Sequence, residues 1–173
     1  MARVVNAVHA VWAHGSKPMG GTFLTWLPRE LNQAADYLTH VARRRPFRNK
    51  GWLATPAALE RARGAPLVAW VDAGESEDGV GIGVALANAR SREVLTYAAL
   101  WSPQSGDIND EEAKASEWAL QAMLRLRRGE AQELRHEWKN EMSSGDRARA
   151  AEVLVWPGER GGMGPEDANV FSF

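Results

Sequence analysis

Leu67-Val68-Ala69-Trp70-Val71-Asp72, followed by Ala73-Gly74, is the stretch on which the fold turns. Five apolar residues run into an acid. A short apolar run bounded by turn signals reads as a buried central strand. A carboxylate at the exit of such a strand is held rigidly at the sheet edge. The plainer alternative for Asp72 is an acid that opens a turn.

Downstream, residues 74–79 read as an acidic loop with Glu75, Glu77 and Asp78. Residues 80–87 alternate large and small side chains. That is a strand with one packed face and one thin face, so another element comes close there. Residues 93–101 form a second strand, in a hairpin with the first. Asn109 or Asp107 caps an expected helix over 110–127. With Glu112 at zero and about 100° per residue, Ala115, Ser116, Ala119, Met123 and Leu126 fall within roughly 60° of it. Glu112 is thus expected on the apolar face, with Asp110 and Glu111 off it. A carboxylate facing a sheet needs a partner, a metal or an open edge. Otherwise it serves the helix dipole from the first turn.

Upstream, residues 4–13 carry a helical stripe of Val4, Val5, Val8, Val11 and Trp12, stopped by Gly15 and Pro18. Residues 22–27 are rich in β-formers and stop at Pro28. Asn32 caps an expected helix over 33–44, with Ala34, Leu38 and Val41 on its apolar face. Residues 45–64 read as a connector with a short helix over 56–63, capped by Thr55 with Pro56 at its first position. Beyond Gly129 the pattern weakens: a polar helix over 131–142 with Leu134 and Trp138, a strand over 152–156, and a loose Gly-rich tail over 161–173.

Composition narrows the chemistry. A chain of 173 residues with 45% hydrophobic content can bury a real core as one domain or two small ones. The net charge of −1 makes any basic surface local, and the lack of cysteine excludes disulfides and thiolate metal sites. No run approaches the ~20 apolar residues of a membrane span, and the N-terminus lacks a signal-peptide pattern. An intracellular protein is expected. Clustered carboxylates without cysteine or ligand-spaced histidine suit Mg²⁺ or Mn²⁺. His9, His14, His40 and His136 read as ordinary surface or helix residues. Trp70, Trp101 and Trp118 read as core.

Taken together, these segments resemble a ribonuclease H domain of the plant and retroelement type. Ala69-Trp70-Val71-Asp72-Ala73-Gly74 resembles the family's first strand with its catalytic Asp. Residues 79–86 resemble its Gly-rich second strand. Asn109-Asp110-Glu111-Glu112, followed by Ala119-Leu120, resembles the helix with the catalytic Glu. Trp26-Leu27-Pro28-Arg29-Glu30-Leu31-Asn32-Gln33-Ala34-Ala35-Asp36 resembles the last strand and last helix, with Asp36 as the last acid. Val4-Val5-Asn6 with Trp12 resembles the helix after the fourth strand. The implied fold is α/β, a mixed five-stranded sheet flanked by helices and circularly permuted or rearranged. Residues 1–44 resemble the C-terminal half of the domain and 65–128 the N-terminal half. Residues 45–64 are the connector and 129–173 the poorly patterned tail.

The resemblance implies two-metal hydrolysis of the RNA strand of an RNA–DNA hybrid. Asp72 would contact both ions, Glu112 one and Asp36 the other. Recognition would use 2′-hydroxyl and phosphate contacts. Arg43, Arg44, Arg45, Arg48 and Lys50 form the one basic run, which could track a phosphate backbone or be a solvated helix end and linker. Three departures stand out. The halves are in reversed order. The acid expected just upstream of Val4 is absent, with Glu159 a weak substitute if 152–156 is the fourth strand. Arg29 occupies the loop where the family's assisting His is expected. The order fits either a circular permutant or a piece spanning the end of one such domain and the start of the next. The missing acid leaves a second reading open, a non-catalytic remnant that binds nucleic acid or a protein partner.

Overall fold

The computed structural model describes residues 24–25, 28–44, 48–52, 54–77, 79–102, 108–131, 142–156 and 171–172. The helices expected over 4–13 and 131–142 lie wholly or almost wholly outside these, as do Arg45, Glu159, His9, His14 and His136. Six strands form one sheet: β1 (Leu24–Thr25), β2 (Arg48–Trp52), β3 (Leu67–Ser76), β4 (Gly79–Asn88), β5 (Glu93–Ser102) and β6 (Phe171–Ser172). The described helices are α1 (Gln33–Arg44), α2 (Pro56–Ala62), α3 (Ile108–Arg128) and α4 (Ser144–Glu152). A 3-10 turn over Arg29–Leu31 leads into α1. The architecture is therefore α/β.

The strands lie in the order β1-β6-β3-β4-β5-β2. β3, β4 and β5 are an antiparallel meander, with Asp72 opposite Gly83 and Gly83 opposite Ala99. β6 runs parallel to β3, and β1 parallel to β6. β2 closes the far edge, antiparallel to β5.

Period-two alternation along β3 divides the core. Leu67, Ala69, Val71 and Ala73 face one side, where they meet Leu59 of α2 and Ala115, Ala119 and Met123 of α3. Val68 and Trp70 face the other, where Ala35, Leu38 and Val41 of α1 and Ala150 of α4 cover them. Trp70 is buried; its indole N–H donates to the Val155 carbonyl at 3.1 Å, and its ring meets Trp156 edge-on at 5.3 Å. The thin face of β4 receives α1. A Cβ on Gly83 would come within 2.1 Å of the Ala35 carbonyl oxygen, and one on Gly81 within 2.2 Å of that of Thr39. The alternation in residues 80–87 thus marks the seat of a helix.

Several expectations need correction. The segment 74–79 is not a loop: β3 continues to Ser76, because a hairpin partner in register carries the ladder past Asp72. Asp72 therefore sits within a strand rather than at its end. The stretch read as a connector holds β2, whose pairing with β5 overrides its mixed composition. Residues 152–156 are not a strand; α4 ends at Glu152 and the chain crosses Trp70 without ladder pairing. The strand beside β3 is supplied instead by Phe171–Ser172, from the segment read as loose. The premise for Glu159 as a substitute acid goes with the 152–156 strand. Asn109 lies inside α3, which begins one residue earlier at Ile108.

Candidate functional site

Asp72 shares the period of Val68 and Trp70, so its carboxylate points to the α1 side of the sheet. The described pairing of β3 with β6 covers only Ala69 and Trp70. Two residues further on, Asp72 borders an opening. Asp36, in the first turn of α1, and Glu112, just past the first turn of α3, border the same opening. The three carboxylates line one hollow of about 450 Å³ together with Arg29, Asn32, Thr39, Arg43 and Glu75. Three acids separated by as many as 76 positions in the chain, from Asp36 to Glu112, are brought together here.

Asn32 sets this arrangement. It is buried, and its side-chain amide donates to the Val71 carbonyl at 2.9 Å, one residue before Asp72. Its own carbonyl accepts the Asp36 N–H at 3.1 Å. One residue thus fixes the start of α1 to the strand and places Asp36 over Asp72. The sequence marked Asn32 only as a helix cap. The Thr39 hydroxyl bonds back to the Asp36 carbonyl at 2.7 Å.

The proximity has an electrostatic consequence. Burial, the charge of Asp36 and, more weakly, that of Glu112 push the Asp72 carboxyl up to about 6. Two guanidinium groups offset the acids. Arg29 donates to Asp36 Oδ1 at 2.6 Å, and this bond raises the Arg29 pKa. Arg43 donates to the Glu75 carbonyl at 2.7 Å and contacts His40 Nδ1 at 2.5 Å. His40 is exposed on α1, 3.7 Å from Asp36 Oδ2; burial of its ring and the charge of Arg43 hold its pKa below the ordinary value.

The helical phase of α3 requires a correction. Glu112 reaches the hollow and is partly exposed, whereas Glu111, expected off the apolar face, is fully buried. The buried arc of α3 is wide, running from Glu111 past Ala115 and Ala119 to Leu120 and Leu124. Roughly 100° from Glu112, Glu111 falls on its flank. One of its oxygens accepts from Lys114 Nζ at 2.5 Å. Glu112, in the middle of the arc, is only partly buried because it borders the hollow.

The basic run is split by the fold. Arg43 joins the hollow, and Arg44 lies 5.9 Å from the Tyr37 ring centroid. Arg48 and Lys50 fall on β2, three strands away from β3. One continuous phosphate track through all five residues does not follow. Arg29, Asn32, Thr39 and Glu75 are the site residues to which the sequence gave no such role. The signal for the first two was their place within the same motif as Asp36.

As donors, three carboxylates suit a hard divalent cation, which would offset both the burial and the mutual repulsion that raise Asp72. Among the described residues, however, no three His, Asp or Glu side chains form a cluster that could hold a metal ion. The donor set fits in kind, while Arg29 engages one of its members. Also among the described residues, no helix is long and apolar enough to cross a membrane. No protein-family model matches the chain, and neither curated proteins nor solved structures give a match.

Proposed function

We propose that this chain is a ribonuclease H-like nuclease domain that hydrolyses the RNA strand of an RNA–DNA hybrid. The observation that carries the reading is the convergence of Asp36, Asp72 and Glu112 on one hollow. The sheet supports it: an antiparallel meander β3-β4-β5 with two strands parallel to β3 on its other side. β3 and β4 are the segments that resemble the family's first and second strands, and β1 directly precedes the motif from Trp26 that resembles the last strand and helix. β6 lies between β3 and β1.

Asp36, Asp72 and Glu112 would hold Mg²⁺ or Mn²⁺, which supplies Lewis-acid activation of water and charge stabilisation at the leaving oxygen. The chain's own part is placement. Asn32 locks Asp36 over Asp72 through the Val71 carbonyl. Burial keeps Asp72 in low dielectric, where its charge acts strongly. Arg43, tied to the Glu75 carbonyl, leaves a guanidinium at the rim for a backbone phosphate.

The test is cleavage of a labelled RNA–DNA hybrid with and without Mg²⁺ or Mn²⁺. Cation-dependent cleavage is expected, with Asp72→Asn and Glu112→Gln each reducing it at least about 100-fold. Undiminished cleavage in either variant would remove that residue from the site. A second reading, a non-catalytic domain that binds the hybrid, is favoured by the Arg29–Asp36 ion pair and by the lack, among the described residues, of an acid group able to hold a metal ion. It predicts cation-independent hybrid binding with no turnover.

A further inference from the structure

The basic run of residues 43–50 has an end that the acid hollow does not use. Arg43 turns into the hollow, but Arg48 and Lys50 lie on β2, at the far edge of the sheet. β2 pairs with β5 on one side, from Arg48 opposite Leu100 to Trp52 opposite Thr96. The Ala54 N–H continues that ladder to the Leu95 carbonyl at 3.3 Å. Among the described residues, no strand pairs with the other side of β2. An edge of this kind presents a row of backbone N–H and C=O groups ready for another strand.

Charge and register say what that strand is. Arg48 and Lys50 stand two positions apart on the strand, so they share one face of the sheet, that of Leu100 and Ala98. Asn49 and Gly51 fall on the other face. A strand laid along β2 sets residues two apart directly opposite the two cations, and opposite charges at such positions stabilise the pairing. A second copy of β2 fits poorly. In an antiparallel two-fold pairing centred on Asn49, Arg48 would face Lys50; centred on Lys50, Lys50 would face its own equivalent. The cations that turn away a second β2 suit an acidic strand. A nucleic-acid backbone matches the charge alone: its phosphates accept hydrogen bonds, whereas the edge also carries carbonyls that need donors.

We propose that the outer edge of β2 docks an extended segment of a partner protein by strand addition, with acidic residues at alternating positions set against Arg48 and Lys50. Main-chain pairing supplies the affinity, and the two cations supply the selection. The edge lies three strands from β3, so its role is separate from any chemistry at the three acids. It accounts for the half of the basic run that the hollow leaves out.

The test is titration of the full chain with short capped peptides, read by backbone hydrogen exchange over residues 48–52. One peptide alternates Glu and Val, and a second alternates Lys and Val. A third is the Glu peptide N-methylated throughout, which keeps its charge and removes its N–H donors. The Glu peptide should slow exchange over residues 48–52 at least about tenfold, and the other two should not. Arg48→Glu with Lys50→Glu should bind the Glu peptide about tenfold more weakly, the worth of two cross-strand pairs turned repulsive, and take the Lys peptide in its place. The milder Arg48→Gln with Lys50→Gln leaves these two positions uncharged and should bind both peptides alike. Equal protection by the N-methylated peptide would overturn strand addition and reduce the edge to a charged patch. Stronger protection by a uridine oligonucleotide than by the Glu peptide would overturn the choice of a protein partner. Protection that grows with protein concentration in the absence of peptide would give the edge to a second copy. No protection by any peptide would mean that Arg48 and Lys50 only guard the edge, and the proposal would fall.

Discussion

Burial and two neighbouring acids hold the Asp72 carboxyl near 6, and this sets how the fold responds to pH. A carboxyl whose pKa is raised on folding keeps a proton that the unfolded chain has already lost. Between 3.8 and about 6 the folded state binds more protons, so stability falls as pH rises through that window and stays lowered above it. The loss is on the order of 1–3 kcal/mol once solvent screening is allowed for. Asp72→Asn removes it. Thermal melts in EDTA should show the variant about 2–6 °C more stable than wild type at pH 8, with the gap closing near pH 4. An equal gap at both pH values would mean that the carboxylate is not strained. Asn32 predicts the reverse. Asn32→Ala strips a buried donor from the Val71 carbonyl and should cost about 1–3 kcal/mol by denaturant unfolding, at every pH. Both acids of this pair were legible in the sequence, Asp72 from its strand and Asp36 from its motif. What tied them was not, because a side-chain amide donating to a backbone carbonyl 39 positions away leaves no periodic trace.

At the scale of elements, the alternating residues of β4 decide where α1 sits, and α1 brings both Asp36 and Arg43 to the hollow. Gly81 and Gly83 are replaceable only if the helix retreats, since an added Cβ would meet backbone oxygen rather than a flexible side chain. Gly83→Ala should cost about 2–4 kcal/mol and move Asp36 away from Asp72. On the proposed nuclease reading its signature is paired: a lower unfolding midpoint, and Mn²⁺ affinity reduced beyond what lost stability explains. Full Mn²⁺ affinity in a destabilised Gly83→Ala would show that α1 does not set the site. The alternation of residues 80–87 announced this approach, because a thin face has no purpose without an occupant. The end of β3 and the edge strand β2 were illegible for the opposite reason. Their residues lack strand character of their own and take it from pairing partners, β4 for residues 73–76 and β5 for Arg48–Trp52. In α3, phase gave Glu112 its inward direction, but it could not show how wide a groove the helix occupies, and so missed buried Glu111.

Across the whole molecule, one helix near the start of the chain completes a core built by strands far downstream. On the α1 face, Val68 and Trp70 of β3, Ala85 and Ala87 of β4, and Tyr97 and Ala99 of β5 meet Ala35, Leu38, Val41 and Ala42. The buried apolar residues of α2 and α3 pack on the other side of the sheet. The helix over Gln33–Arg44 and the strands over 67–102 therefore build one core rather than two independent ones. A fragment of residues 54–173 retains β3, β4, β5 and α3 but leaves the glycine face of β4 and one side of Trp70 open. It should bind 8-anilinonaphthalene-1-sulfonate and lose near-ultraviolet circular dichroism while keeping much of its far-ultraviolet signal. Adding a peptide of residues 28–44 in excess should restore the near-ultraviolet signal, with Leu38→Ala in the peptide weakening the rescue at least about tenfold. If the fragment instead unfolds cooperatively by itself, α1 is an accessory to the core. The acids would then owe their meeting to Asn32 alone.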